Sequence, residues 1–267
     1  MERRKGVARR SAARYRAPAL EKGLDILELL ADRPEGLGQS EIARALSRTV
    51  GEIFRMLACL VERGYVAVRR PSDRYILTPK LFELSHRHAP YKRLLSEALP
   101  VMKDLAARLR QSCHLVVPHN GRGVVVAQTD GPHEMGFGVR AGSLVELCAC
   151  APGRVLLAFQ EDGDRSRLLR EAGFKSGTPD FDRALQNLLA VRARGFDESP
   201  CSRVRGVHEW AFPIFDHRGA AAAALTVPYI ERLDGDGPGI DAVRSALLEA
   251  ARYLSTATGG ASTGGHS

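Results

Sequence analysis

Features that mark membrane-spanning, secreted and disulfide-bonded chains are missing from this sequence. No apolar run approaches the ~18–20 residues that cross a bilayer, so we expect no membrane partner. The N-terminal segment MERRKGVARRSAARYR is basic but has no apolar stretch behind it, so it does not resemble a secretory signal and we expect a cytoplasmic protein. The five cysteines are odd in number and irregularly spaced, which favours reduced thiols over a disulfide framework.

Motifs of common catalytic and cofactor sites are also missing. The sequence has no G-x-S-x-G, no P-loop and no G-x-G-x-x-G between a strand and a helix. His208 and Glu209 stand side by side, without the H-E-x-x-H spacing of a helical zinc site. Cys148 and Cys150 form a C-x-C with no second cysteine pair to complete a structural zinc site. We therefore expect no catalytic residue, no metal and no cofactor.

Positive charge is in excess, with a formal net charge of +8 that lies largely in the first sixteen residues. Such a balance favours a polyanionic partner, because neutralised phosphates release counterions, although a solubilising surface explains it equally well. The length of 267 residues suits two modest domains or one large one. The motifs along the chain must decide between a polyanionic partner and a solubilising surface, and between two domains and one.

The segment at 18–80 predicts three helices followed by a β-hairpin. Apolar residues recur at helical spacing in ALEKGLDILELLAD, and Ser40 is predicted to cap a short second helix. A third helix is predicted at 50–63, with Gly64 as its stop signal. The segments YVAVRR and RYILT predict strands joined by the turn-forming PSD. This order is typical of a winged helix-turn-helix domain.

A winged helix-turn-helix places its third helix in the major groove and its hairpin beside the phosphates. Arginine pairs with guanine and glutamate accepts from cytosine, whereas a helix N-terminus suits a phosphate. An intramolecular salt bridge is an equally open role for Arg55. The predicted DNA contacts are Gln39, Ser40, Arg48, Gly51, Glu52, Arg55, Arg69, Arg70 and Arg74.

The remainder of the chain predicts a linker helix at 81–92 and an α/β domain at 93–256. Pro100 is expected to break a helix or to stand at its start. Strands are predicted in CHLVVPH, GVVVAQT, EMGFGVR, EWAFPIFD and AAAALTVPYI, with helices between and after them. Mostly antiparallel strands with packed helices give an α+β fold class overall. The flanks at 1–17 and 257–267 are predicted to be a disordered basic arm and a disordered tail.

Five segments in order resemble the IclR family of transcriptional regulators. They are LEKGLDILELLA, SEIARALSRTVGEIFRMLACLVERGYV, DRYILTPKLFEL, GSLVELCACAPGRVLLA, and the region from RARGF to RGVHEWAFPIFDHRGAAAAALTVP. The resemblance implies a winged helix-turn-helix joined by a linker helix to a GAF-like effector domain. It also implies dimers or dimers of dimers on palindromic operators, and control of a neighbouring catabolic operon by a small organic acid, aromatic or sugar-derived catabolite.

The effector site is predicted partly from the resemblance and partly from a loop of small residues before a helix at 153–159. Free N–H groups at a helix N-terminus bind anions, so a carboxylate is one possible ligand; a merely tight connection is the other interpretation of the loop. Glu209 would repel such a carboxylate if it faces the cavity ionised. The predicted effector contacts are His114, Leu147, Cys150, Ala151, Pro152, Ser199, Glu209, Thr226 and Pro228.

The chain departs from the family pattern at Glu146, Cys150, Arg154, Glu209 and Pro228, so the ligand of its relatives does not transfer to it. The sequence leaves one alternative function open. In that alternative the chain is a GAF-like ligand-binding or enzymatic protein, and its N-terminal helices serve only for dimerisation.

Overall fold

A computed structural model describes residues 17–87, 89–134, 136–232 and 237–260. The chain divides into two compact units between residues 88 and 89. The predicted arm at 1–17 lies outside the described residues except for Ala17, which precedes the first helix. Of the predicted tail at 257–267, residues 257–260 are described: Ala257 ends the last helix, and the N–H of Gly260 donates to the carbonyl of Ser255 at 2.7 Å. The rest of that tail also lies outside the described residues.

The first unit has the predicted winged helix-turn-helix order. Its elements are α1 (Pro18–Ala31), α2 (Gln39–Ala45), α3 (Val50–Glu62), β1 (Val66–Arg69), β2 (Arg74–Leu77) and α4 (Lys80–Arg87). Strands β1 and β2 are antiparallel, and Leu37 adds a bridge to Tyr75. Ile26, Ile42 and Ile53 are fully buried where the first three helices meet, so the apolar stripes read from the sequence form one core.

One detail of the first unit differs from the predictions. Helix α2 is capped by Gly38 rather than Ser40, because the Glu41 carboxylate accepts the N–H of Gly38 at 2.7 Å and closes the first turn two residues earlier. Within the predicted linker helix at 81–92, α4 extends to Arg87 and α5 is described from Ala89, while the residue between them lies outside the described residues.

The second unit is an antiparallel sheet with helices on both faces. Its elements are α5 (Ala89–Leu109), β3 (Cys113–His119), β4 (Arg122–Thr129), β5 (Leu144–Glu146), α6 (Ala151–Ala158), α7 (Asp162–Glu171), α8 (Pro179–Arg194), β6 (Asp197–Pro200), β7 (Val207–Phe215), β8 (Ala221–Ile230) and α9 (Ile240–Ala257). The strand order is β5-β4-β3-β8-β7-β6. One core lies between the sheet and α5 and α9, and a second lies between the sheet and α6, α7 and α8.

Three predictions for this unit were wrong in detail. Helix α5 continues through Pro100, because the buried stripe of Leu94, Ala98 and Met102 runs along both sides of the proline. The segment EMGFGVR forms no strand where it is described, and the strand in this region is β5 instead. Glycines pack poorly in strands, which explains the misassignment. Strand β6, with the polar sequence DESP, had no apolar signal and was missed.

Candidate DNA interface and effector site

The N-terminus of α3 is fixed by a capping box. Thr49 caps the helix: its hydroxyl oxygen accepts the N–H of Glu52 at 3.3 Å, and the Glu52 carboxylate accepts the N–H of Thr49 at 2.9 Å. Lys22 of α1 contacts the same carboxylate at 3.0 Å. These bonds lower the pKa of Glu52 to about 2, with the Thr49 N–H as the largest cause and Lys22 next. The sequence predicts that Glu52 contacts a cytosine. In the structure, one carboxylate oxygen of Glu52 accepts the Thr49 N–H and the other contacts Lys22.

The outward face of α3 is open. Ile53 and Leu57 are buried, and the opposite side of the helix presents Gly51, Arg55 and Ala58, all exposed. Arg55 makes no hydrogen bond or ion pair with the residues described, so the alternative of an intramolecular salt bridge has no support. A Cβ atom added to Gly51 would meet nothing within 4 Å. This face is free to approach a large partner closely.

An exposed aromatic side chain beside that face was not foreseen. Phe54 is 57% exposed on α3 although it is large and apolar. The sequence signal was available, since a residue next to Ile53 cannot share its buried face. Apolar side chains contact the methyl group of thymine in the major groove. Phe54 is therefore a further candidate for base contact.

Arg48 holds the turn before α3 rather than projecting freely. Its guanidinium lies 3.4 Å from the Asp25 carboxylate of α1, and its Nε atom is buried without a hydrogen-bond partner in the described chain. Gln39 and Ser40 are the first two residues of α2, where Gln39 is half-buried and Ser40 is exposed. Their position at a helix start agrees with the predicted phosphate contact, which stays a prediction.

The three arginines of the wing differ in their surroundings. Arg74 is bound inside the domain: its guanidinium donates twice to the Gly36 carbonyl, at 3.0 and 3.2 Å, and lies 2.9 Å from Glu41. Arg69 contacts Glu35 at 3.5 Å in an exposed pair, which is weak. Arg70 is exposed at the hairpin tip and has no side-chain partner among the residues described. The free cation of the predicted wing set is Arg70, whereas Arg74 positions the hairpin.

Among the described polar side chains of the second unit's sheet that are buried without hydrogen-bond partners, two lie side by side on neighbouring strands. His114 of β3 pairs in register with Thr226 of β8, and the residues are 1% and 0% exposed. Within the described chain, Nδ1 of His114 and Oγ1 of Thr226 have no partner. Their neighbours Val116 and Ala224 pack against α6, so strand alternation places both side chains on the α6 face. Unpaired buried polar atoms are costly, which makes this pair a candidate ligand contact.

Burial, and not a neighbouring charge, sets the state of His114. It lowers the pKa of the imidazole to about 4, so the ring is neutral near pH 7. The sequence left a structural histidine open as the alternative, but a structural histidine normally has both nitrogens satisfied. The unpaired Nδ1 favours the ligand role.

The next row of the sheet brings Glu209 to the start of α6. Glu209 of β7 pairs with Pro228 of β8 on one side and with Ser199 of β6 on the other. The backbone N–H of Ala151, the first residue of α6, donates to Oε2 of Glu209 at 3.0 Å. The carboxylate at this helix N-terminus therefore belongs to the protein itself.

A glycine allows the loop before α6 to pack closely on that helix. A Cβ atom on Gly153 would lie 2.4 Å from the carbonyl oxygen of Leu147 and 2.5 Å from its Cα. No side chain fits there, because the clash is with backbone. Leu147, Cys150, Ala151 and Pro152 are all buried at this contact.

Ser199 is drawn into a separate ion-pair network. Arg154 of α6 lies 2.6 Å from the Asp197 carboxylate and donates to the Ser199 hydroxyl at 2.5 Å. Asp197 also contacts Arg194 at 3.0 Å. The arginine that replaces the family's lysine is thus already paired, and Ser199 faces it rather than the His114 and Thr226 pair.

The thiols near the predicted site are unreactive. Burial raises the pKa of Cys150 to about 12 and that of Cys148 to about 11, where the charge of Arg154 opposes the rise. The Cys150 thiol donates to the Glu146 carbonyl at 3.2 Å. Neither cysteine has the exposed thiolate that redox chemistry needs.

A cavity of about 570 Å³ lies between α6, α8 and the segment that joins α7 to α8, and its lining residue Arg154 donates to Ser199 of the predicted effector set. Phe174, Lys175, Arg183 and Asn187 line it together with Arg154, and none of the predicted effector set does. The effector residues are closed beneath α6, so sequence reasoning located a buried polar cluster rather than an open pocket.

Comparison with known proteins decides the family. The model of the IclR helix-turn-helix domain matches residues 19–70, and the model of the bacterial transcriptional regulator IclR C-terminal domain matches residues 89–256. The chain belongs to the IclR family. The predicted fold class, a winged helix-turn-helix joined to an α/β effector domain, is confirmed with it.

Individual members of the IclR family are similar to this chain over most of its length. It is 30% identical to the HTH-type transcriptional regulator BhcR of Paracoccus denitrificans over 89% of this chain and 86% of that protein. It is 28% identical to the HTH-type transcriptional regulator KdgR of Dickeya chrysanthemi over 78% of this chain and 69% of that protein. The crystal structure of Pseudomonas aeruginosa HmgR has a TM-score of 0.72 at 25% identity and covers 91% of this chain and all of that one.

The IclR family assignment carries a function. The protein is a transcriptional regulator with a helix-turn-helix DNA-binding domain and a C-terminal effector-binding domain. Regulators of this family bind DNA operators and small-molecule effectors and act as oligomers. In the part of the chain that the structure describes, no helix is long and apolar enough to cross a membrane.

Proposed function

We propose that α3 reads the operator in the major groove through the face of Gly51, Arg55 and Ala58. The observation that carries this is Arg55, an exposed arginine without a partner among the residues that the structure describes. It is central on the outward face of a helix whose N-terminus is fixed by its cap. Arginine binds guanine through two hydrogen bonds. Phe54 adds an apolar contact at the edge of this face. Glu52 and Arg48 position the helix and do not contact bases.

The wing contacts the phosphates through Arg70, with Arg69 released from its weak pair with Glu35. Arg74 keeps its place inside the domain. Gln39 and Ser40 meet a phosphate at the start of α2. A palindromic operator is bound by a homodimer or a dimer of dimers, since each domain supplies one α3 to one half-site.

The effector domain binds its ligand on the α6 face of the sheet, at His114 and Thr226, beside Glu209 and the residues from Leu147 to Pro152. Pro228 shapes the same surface, and Ser199 supports it through Arg154. The effector is a small catabolite. The protein acts in the cytoplasm and controls a neighbouring catabolic operon. The protein performs no catalysis of its own.

Effector binding changes the spacing of the two α3 helices in the oligomer and thereby the affinity for the operator. Such a change requires the ligand to bind one arrangement more tightly than the other. The coupling free energy equals the difference between the effector's binding free energies for the two arrangements, whether the effector increases or decreases transcription.

The test is retention of DNA that flanks the protein's own gene, measured by gel shift across a salt series. We expect specific binding with a steep salt dependence, because phosphate contacts release counterions. Arg55→Ala is expected to reduce specific binding about tenfold or more, the range for losing a bidentate base contact. Arg252→Ala is the matched control, since Arg252 is also an exposed helical arginine without a side-chain partner among the described residues.

Two results would contradict the proposal. One is a folded wild type that binds no flanking DNA better than competitor DNA, which would favour the ligand-binding or enzymatic alternative. The other is full DNA binding by a variant in which Arg69, Arg70 and Arg74 are all replaced by alanine.

A further inference from the structure

The anion position at the N-terminus of α6 is occupied by the protein's own side chain. Glu209 is 6% exposed, and its Oε2 atom accepts the N–H of Ala151 at 3.0 Å. A helix N-terminus attracts negative charge through its free N–H groups and its dipole. The helix has no side-chain cap of its own, because Cys150 stands at its N-cap and makes no capping hydrogen bond. Glu209 therefore supplies the charge that a bound carboxylate would otherwise bring.

Two of the side chains near this position that can carry positive charge are not available to a second carboxylate. A third, Arg203, is exposed to solvent, which weakens the interaction of its charge with the buried site. Arg154 is paired with Asp197 at 2.6 Å and with Ser199 at 2.5 Å. His114 is neutral because burial depresses its pKa to about 4. A ligand carboxylate beside Glu209 would thus meet a like charge in a buried site, with no free cation among these side chains to offset it.

The groups that do remain open are neutral. Nδ1 of His114 and Oγ1 of Thr226 are buried, lie on paired strands and face the same side of the sheet as Glu209. A threonine hydroxyl both donates and accepts, and a neutral imidazole nitrogen does one or the other according to its tautomer. A hydroxyl or an amide group satisfies both atoms in either tautomer of the imidazole, whereas a carboxylate, which only accepts, satisfies Nδ1 only when that atom carries the proton.

We propose that Glu209 is a specificity-determining residue, which excludes carboxylates from the start of α6 and selects an uncharged effector bearing hydroxyl or amide groups. The inference rests on the proposed effector site. Glu209, His114 and Thr226 are each less than a tenth exposed, so a ligand at this site is enclosed by protein.

The experiment uses Glu209→Ala in the full-length protein, with acetate and acetamide as probes. The alanine variant lacks a CH₂–COO⁻ group, which is the size of acetate, so acetate fits the space that opens. Thermal unfolding is followed at constant ionic strength. We expect acetate to stabilise Glu209→Ala at concentrations about tenfold lower than acetamide, the ratio set by the charge at a helix N-terminus. The wild type is expected to show no preference for acetate.

Glu198→Ala is the matched control, because Glu198 is a neighbouring but exposed glutamate on β6. It is expected to behave as the wild type does. The proposal is overturned if the wild type responds to acetate as the Glu209→Ala variant does, or if that variant does not distinguish acetate from acetamide.

Glu209→Gln carries the test if the alanine variant does not fold. Glutamine keeps the size and an acceptor oxygen but removes the charge. We expect a lower Tm than that of the wild type; an equal or higher Tm would show that the helix does not need this anion and would overturn the proposal. Both measurements are made without DNA, so their failure leaves the operator-binding proposal intact, and loss of DNA retention does not alter them.

Discussion

The Lys22 ammonium of α1 lies 3.0 Å from the Glu52 carboxylate at the start of α3, and this contact joins the first helix of the DNA-binding domain to its recognition helix. The same carboxylate closes the capping box with Thr49. Glu52, a side chain predicted to face DNA, thus fixes the direction of the proposed recognition helix. The local stability of α3 should depend on the charge of Glu52.

The first prediction concerns that charge. The pKa of Glu52 is about 2 in the folded protein against 4.5 for an ordinary glutamate, so its stabilising effect is complete above pH 4.5 and is lost as the pH falls towards 2. Glu52→Gln keeps the capping hydrogen bonds but loses the charge. Hydrogen exchange across residues 49–57 should be faster in Glu52→Gln than in the wild type at pH 7. The difference should vanish at low pH, whereas Glu28→Gln, at an exposed position on α1, should have no effect at either pH.

The second prediction separates stability from DNA binding at one position. Gly51→Ala adds a methyl group in open space on the outward face of α3. The free energy of unfolding should rise by about 0.5 kcal/mol, because alanine favours the helix. Specific DNA binding should weaken severalfold in the gel shift, because the methyl group stands between the helix and the groove. Gly23→Ala, also helical and unhindered, should stabilise without weakening DNA binding; if both variants bind DNA normally, the outward face is not the interface.

The third prediction distinguishes the two kinds of wing arginine. Arg70→Ala should leave the free energy of unfolding within about 0.5 kcal/mol of the wild type, because an exposed side chain without a partner is lost. Arg74→Ala should lower it by about 1 kcal/mol, since the Gly36 carbonyl and Glu41 lose their half-exposed partner. Both should weaken DNA binding, and chemical denaturation beside the gel shift measures the two effects. Equal stability of the two variants would contradict the positioning role of Arg74.

The fourth prediction follows from the buried imidazole. His114 has a pKa of about 4 when folded against 6.5 when exposed, so the unfolded chain takes up the proton first as the pH falls. The contribution of His114 should therefore lower the free energy of unfolding by about 3 kcal/mol between pH 6.5 and pH 4. Below pH 4 this contribution should not change further. His114→Gln should flatten the pH dependence of Tm in that interval. His119→Gln, at an exposed position, should leave it unchanged; a wild-type slope in His114→Gln would assign the acid sensitivity elsewhere.

Local sequence patterns predict the order of elements in the first unit and most of that order in the second. Helical spacing of Leu30, Ile53 and Leu57, the stop at Gly64 and the β-branched wing strands are local signals, and each depends only on residues a few positions apart. The same locality explains the errors. Pro100 by itself predicts a break, because its packing partners lie elsewhere in the chain. Strand β6 has a polar sequence that only pairing with β7 turns into a strand.

The chemistry of the sites was decided by the tertiary structure. Ala151 and Glu209 are 58 positions apart, and only the pairing of β7 in the sheet brings that carboxylate to the start of α6. Likewise, only the β3–β8 register places His114 beside Thr226. Only the fold of the wing pairs Arg74 with Glu41, whereas Arg70 has no side-chain partner among the described residues. Composition gives the number of charges, but the partner of each depends on distances of a few ångströms that local sequence does not encode.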